Sequence, residues 1–153
     1  TLATGEQPLS DGFLAWREMC RKKPDFSVSR LFQRANPHLS MEECKAYDAP
    51  FPDRGHRAAL QAFPRMVPQS FDDPGAAVSR EARRFWLERW EGRSLMVIGQ
   101  QDPVLGEGTM RSLHALIRGC PDPECLPHAG HFVQEHGEYI AQRALEVLTG
   151  RPA

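Results

Sequence analysis

The chain has 153 residues, with 19 Lys and Arg against 20 Asp and Glu, and a net charge of −1. That length suits one domain burying roughly two-thirds of its unfolded surface, and the near balance of charge excludes a basic face for nucleic acid or a basic cluster for anionic lipid. The mean hydropathy is −0.51, no apolar run approaches the roughly 20 residues of a membrane span, and no signal-peptide pattern stands at the start.

The first residue is Thr1 rather than Met, as expected of a segment processed or cut from something longer. Residues 1–75 are rich in turns and prolines, and they read as a helical cap domain. DGFLAWREMC predicts a helix capped by Asp11-Gly12, with Phe13, Leu14, Trp16 and Cys20 at helical spacing. SRLFQRANPHL predicts a second helix, stopped before Pro37. SMEECKAYDAPFPD opens on a capping box, Ser40 with Glu43 three residues later, and ends at Pro50 and Pro52. RAALQAFPRMV predicts a fourth, broken at Pro64 and closed by Pro68. Each apolar face is small, so the set should lie over something else.

Residues 76–153 change style and read as part of an α/β core. SREARRFWLERW predicts a long charged helix that buries Phe85, Trp86, Leu87 and Trp90. SLMVIG, bounded by Gly92 and Gly99, predicts a strand buried on both faces. GTMRSLHALIRG predicts a helix with Met110, Leu113, Leu116 and Ile117 on one side and Gly119 as its stop. ECLPHA predicts a short edge strand, because Pro127 lacks a donor for the ladder. A last helix should run from about His136 to Leu148 and end at Gly150. The order helix, strand, helix, strand, helix makes the fold class α/β with a parallel pair. Two parallel strands do not make a stable sheet, so the exposed sheet edge should pair with a missing N-terminal half or with a second copy.

Functional side chains in such sheets sit on loops after the carboxyl ends of strands. Asp102 follows the first strand in QQDPVLG, and His131 follows the second in AGHF. An acid and then a histidine after successive strands fit the last two members of a nucleophile, acid, histidine triad. Individually the two residues read as an Asp-Pro turn starter and a solvated loop histidine.

The four cysteines, Cys20, Cys44, Cys120 and Cys125, are scattered, as expected of free thiols in a reducing, cytoplasmic compartment. Cys120 and Cys125 with His128 and His131 give C-x4-C-x2-H-x2-H. This is tighter than structural zinc spacing, and it is stiffened by Pro121, Pro123 and Pro127. No metal site is expected.

LMVIGQQDPVLG, LIRGCPDPE and AGHFVQEHGE resemble the carboxy-terminal part of the haloalkane dehalogenases, an α/β-hydrolase family. The resemblance extends back through DGFLAW, AYDAPFPD and FPRMV. These stretches are similar to the cap of the subfamily whose acid lies on this late strand and whose halide-binding tryptophan lies in the cap. The resemblance implies that the chain is the cap and C-terminal portion of that fold, with Asp102 as the catalytic acid and His131 as the base. It places Trp16 at the halide through its indole N–H, with Phe13 and Pro64 beside it, and puts Phe63, Val67 and Leu105 in the substrate cavity. Without the resemblance, Trp16, Phe63 and Val67 read as ordinary core.

The implied reaction needs no cofactor and detoxifies small halogenated alkanes. An aspartate displaces halide to form an alkyl ester, which water activated by the histidine then hydrolyses. The family's nucleophile elbow precedes the cap. Nothing in this chain matches that elbow, nor is there a G-x-S-x-G serine version. The segment alone should therefore hold a base and its acid without a nucleophile, and be inactive. Two other readings stay open. Epoxide hydrolases share the fold but use cap tyrosines, and only Tyr47 and Tyr139 are present; a non-catalytic product would self-associate.

Overall fold

Serines start the helices of the first half. In the computed structural model, which describes residues 3–150, α1 (Asp11–Lys22) is capped by Ser10, whose hydroxyl accepts from the Phe13 N–H at 3.2 Å. The cap therefore falls one residue before the expected Asp11-Gly12. Asp11 instead lies in the first turn, where its charge meets the positive end of the helix dipole. Helix α2 (Val28–Ala35) starts in the same way from Ser27. The expected capping box opens α3 (Met41–Ala46), with Ser40 and Glu43 bonded reciprocally. Helix α4 (Ala58–Met66) runs through Pro64 rather than breaking there. The proline falls in the last turn, so only the Leu60 carbonyl forgoes its intrahelical donor.

These helices pack on one another. Val28 and Phe32 of α2 and Cys44 of α3 form a buried cluster, with Tyr47, Phe51, Leu60 and Phe132 packed against it. Phe32 is stacked between Tyr47, at 3.7 Å between centroids, and Phe132, at 4.0 Å. Phe132 belongs to the second half of the chain, so this core spans both expected domains. The outermost residues of those domains, 1–2 and 151–153, lie outside the described residues.

In the second half, α5 (Ala76–Arg84) begins after Gly75 and stops before the expected Trp90. Residues Phe85–Arg89 form a π-helical turn instead. A wider turn rotates the side chains that follow off the face set by α5. Phe85 and Leu87, expected to be buried, are 37% and 46% exposed, although the Phe85 ring meets Trp86 and Trp90 edge-on. Trp86 and Trp90 are half-buried, and the Trp90 indole donates to the Ser94 hydroxyl at 2.8 Å.

Strands β1 (Val97–Gly99) and β2 (Glu124–Leu126) pair in parallel, with Ile98 opposite Cys125. Both are shorter than their apolar runs, and β2 ends at the residue before Pro127, as a missing donor requires. Between them α6 (Gly106–His114) ends five residues before Gly119. Leu116 and Ile117 fold back in tight turns onto the carbonyls of Leu113 and His114. Helix α7 (Gly137–Thr149) ends at Gly150, as expected, with a left-handed φ of 70°. Arg143 of α7 lies 2.6 Å from Glu124 of β2, and Tyr139 donates to the same carboxylate at 2.7 Å. These two donors, Arg143 foremost, hold the Glu124 carboxyl below its usual range. No helix among the described residues is long and apolar enough to cross a membrane.

Candidate active site

The turns after β1 and β2 are locked together by backbone. A Cβ at Gly99 would collide with the carbonyl oxygens of Ala129 and Gly130, so the two turns touch directly. Gln101 bridges them twice: its N–H donates to the Ala129 carbonyl at 2.9 Å, and its side chain donates to the Pro127 carbonyl at 2.9 Å. Gly130 in turn packs under the Ala35 carbonyl at the end of α2.

On this frame Asp102 and His131 meet. Asp102 Oδ1 accepts the N–H groups of Val104 at 2.7 Å and Leu105 at 3.1 Å, the side-chain turn that an Asp-Pro step favours. Its other oxygen, Oδ2, lies 3.0 Å from His131 Nδ1. The Asp102 side chain is 11% exposed and that of His131 is 37% exposed. With two backbone donors on one oxygen, the carboxylate has little freedom to leave the imidazole. An Nδ1–H pointed at a carboxylate leaves Nε2 as the lone-pair nitrogen. The pair is therefore equipped to take a proton at Nε2 and to stabilise the imidazolium that results.

The histidine turn is also held from the helical side. Phe132 stacks on Phe32, and the Tyr47 hydroxyl donates to Glu135. Gln101, Phe132, Phe32 and Tyr47 thus support the pair, although the sequence reading assigned none of them that task. An aromatic directly after a loop histidine was the only visible signal.

His131 opens on a groove of about 780 Å³ between α1, α2 and the two turns. Phe13, Trp16 and Met19 of α1, Leu31 of α2, and Leu105 and Phe132 give it apolar walls. A shallower hollow of about 290 Å³ lies beyond α1, lined by Leu60, Phe63, Pro64 and Val67. Phe13 and Trp16 border both cavities. The structure thus gathers Phe13, Trp16, Leu105 and His131 around one groove with Asp102 behind the histidine. Phe63, Pro64 and Val67 stand on the far side of Trp16, and Phe63 is 66% exposed. The Trp16 ring packs edge-on to Phe26 at 5.6 Å, and its indole N–H has no hydrogen-bond acceptor among the described residues. Arg17 ties α1 to α4 by donating to the Val67 carbonyl at 3.0 Å.

Among the described residues, no cluster of His, Cys, Asp and Glu could hold a metal ion. The sulfur of Cys125 lies 3.8 Å from Arg111 and 3.9 Å from Glu107, and His131 is engaged by Asp102.

A helical layer over a parallel β–α–β unit, with acid and histidine after successive strands, defines the C-terminal portion of an α/β-hydrolase fold. Along 94% of its length the chain is 38% identical to haloalkane dehalogenase 1 of Mycobacterium bovis, matching 47% of that protein. It is also 30% identical to a haloalkane dehalogenase of Psychrobacter cryohalolentis, over 99% of the chain and 50% of the relative. The tetrameric haloalkane dehalogenase DpaA from Paraglaciecola agarilytica NO2 superposes with a TM-score of 0.87 at 36% identity, over 94% of this chain and 48% of that one. The chain spans about half the length of the curated relatives it matches. No protein-family model matches it.

Proposed function

We propose that this chain is the cap (residues 1–75) and the C-terminal core (residues 76–153) of a haloalkane-dehalogenase-type hydrolase acting on small halogenated alkanes. The observation that carries the reading is the hydrogen bond of 3.0 Å between Asp102 and His131, made beside the groove that Trp16 also lines. In the complete enzyme, a carboxylate oxygen attacks the halogen-bearing carbon as the carbon–halogen bond breaks. The departing halide receives the Trp16 indole N–H, with Phe13 and Pro64 alongside. Water then adds to the carbonyl carbon of the ester and gives its proton to His131 Nε2, while Asp102 steadies the imidazolium. Collapse of that adduct expels the alkoxide, which takes the proton back from His131 and leaves as the alcohol, and the carboxyl group left behind gives its proton to water, which restores the carboxylate. Leu105 shapes the groove beside His131, Phe63 and Val67 line the adjoining hollow across Trp16, and no cofactor takes part.

The attacking carboxylate has no counterpart in this chain's motifs, so the 153 residues alone do not turn over. A complementary half of the fold, or a second copy at the free strand edge, would complete the sheet. The free thiols fit a cytoplasmic detoxifying enzyme. The epoxide-hydrolase reading finds less support. The hydroxyls of Tyr47 and Tyr139 are committed to Glu135 and Glu124, and neither residue lines the groove.

Bromide titration tests the halide site. Saturable quenching of tryptophan fluorescence is expected, and Trp16→Phe should abolish it although Trp86 and Trp90 remain. Unchanged quenching in that variant would overturn the assignment. Bromide release from 1-bromobutane by the purified chain would overturn its inactivity.

A further inference from the structure

Helix α2 divides its faces between two tasks. Val28, Phe32 and Asn36 are buried, whereas Leu31, Arg34 and Ala35 line the groove. That spacing is one helical stripe. Arg34, itself exposed, is thereby the one arginine bordering a groove whose other walls are mostly apolar. Among the described residues it makes no hydrogen bond or ion pair. Its place in the last turn of α2 suits the helix dipole, but that role does not require it to face a cavity.

We propose that the groove binds halogenated alkyl chains that end in a carboxylate. The planar fork of Arg34 pairs with the carboxylate, the methylene chain lies along Leu31 and Met19, and the halogen is directed to Trp16. The Asp102 charge does not oppose this, because two backbone N–H groups and His131 already engage it. The inference rests on the halide-binding reading of Trp16 and names the substrate class for that same site.

The test compares 4-bromobutanoate, 6-bromohexanoate and 8-bromooctanoate with 1-bromobutane, 1-bromohexane and 1-bromooctane. Binding to the 153-residue chain is read from tryptophan fluorescence and from the Arg34 Nε–H resonance by NMR. The best-fitting acid should bind about three-fold more tightly than its matching bromoalkane, the scale of one partly exposed ion pair. Added salt should shrink the difference. Arg34→Gln should erase the preference while bromide quenching stays saturable, whereas Arg34→Lys should keep part of the preference. Circular dichroism of both variants checks that α2 survives.

Equal binding of acid and alkane by the parent chain, or a preference that persists in Arg34→Gln, would overturn the proposal while bromide quenching stands. Absence of saturable bromide quenching would instead overturn the halide reading beneath it, with the Arg34 resonance still reporting whether carboxylates bind.

Discussion

Around Phe32, helices α2 and α3 and the histidine turn share a stacked aromatic core. Along α5, the π turn and α7, by contrast, Phe85, Leu87, Leu145 and Leu148 remain 37–60% exposed. Both regions carry similar apolar side chains, and what differs is the partner. The Phe32 region meets its own helices and the histidine turn, and Ser10 of the first half also donates to the Val104 carbonyl in the acid loop. The second half wraps two strands of three residues each, too little sheet to cover a helix on either side. The Phe32 core is packed by contacts within the chain, whereas the apolar side chains along α5, the π turn and α7 stay exposed.

Phe32→Ala probes the packed core most severely. It removes a side chain stacked on both faces and should cost about 3–5 kcal/mol, measured as a lowered urea midpoint by circular dichroism. A loss below about 1 kcal/mol would mean the stack is not the centre of the fold.

Asp102→Ala should cost about 2 kcal/mol, since it strips a mostly buried charged acceptor from three donors. Its specific signature is loss of the downfield His131 Nδ1–H signal, which a general loosening would not single out.

Asp73 sharpens the contrast on the exposed side. The Ser70 hydroxyl, then the Gln69 and Ser70 N–H groups, hold its carboxyl down at about 2 in the turn before α5. The folded value lies below that of the unfolded chain, about 3.9, so the stabilisation is complete above that pH. It is lost as pH falls toward 2. Urea midpoints should therefore decline across that window, and Asp73→Asn should flatten the decline.

Leu145→Ala should have the smallest effect, within about 0.5 kcal/mol, because its side chain is 60% exposed. A loss of several kcal/mol that grows with protein concentration would reveal a second copy covering α7.

Much of this was legible in the sequence because it is written locally. The Ser40–Glu43 box, the stop at Gly150 and the acid and histidine after two strands each depend on a few neighbouring residues. The departures have tertiary or subtle backbone causes. Pro64 is tolerated because it falls late in α4. The π turn at Phe85 inserts one residue into a helix whose pattern shows no break. The division of the expected cavity residues by Trp16 depends on how α1 lies between α2 and α4, which no spacing along the chain records. Phe132 lies within the AGHFVQEHGE motif, yet its stacking partner Phe32 lies 100 residues earlier.

The contact of Gly99 with Ala129 and Gly130 bears on how such a site tolerates change. The separation of acid and histidine is set first by main chain meeting main chain, with Gln101 and the Phe132 stack bracing it. Residues such as Leu31, Arg34 or Met19 are therefore free to drift toward new ligands while the spacing of the pair stays fixed. Replacing Gly99 itself would force the two turns apart at once. Adaptability and constraint are assigned to separate atoms, and the tightest constraint lies in the main chain.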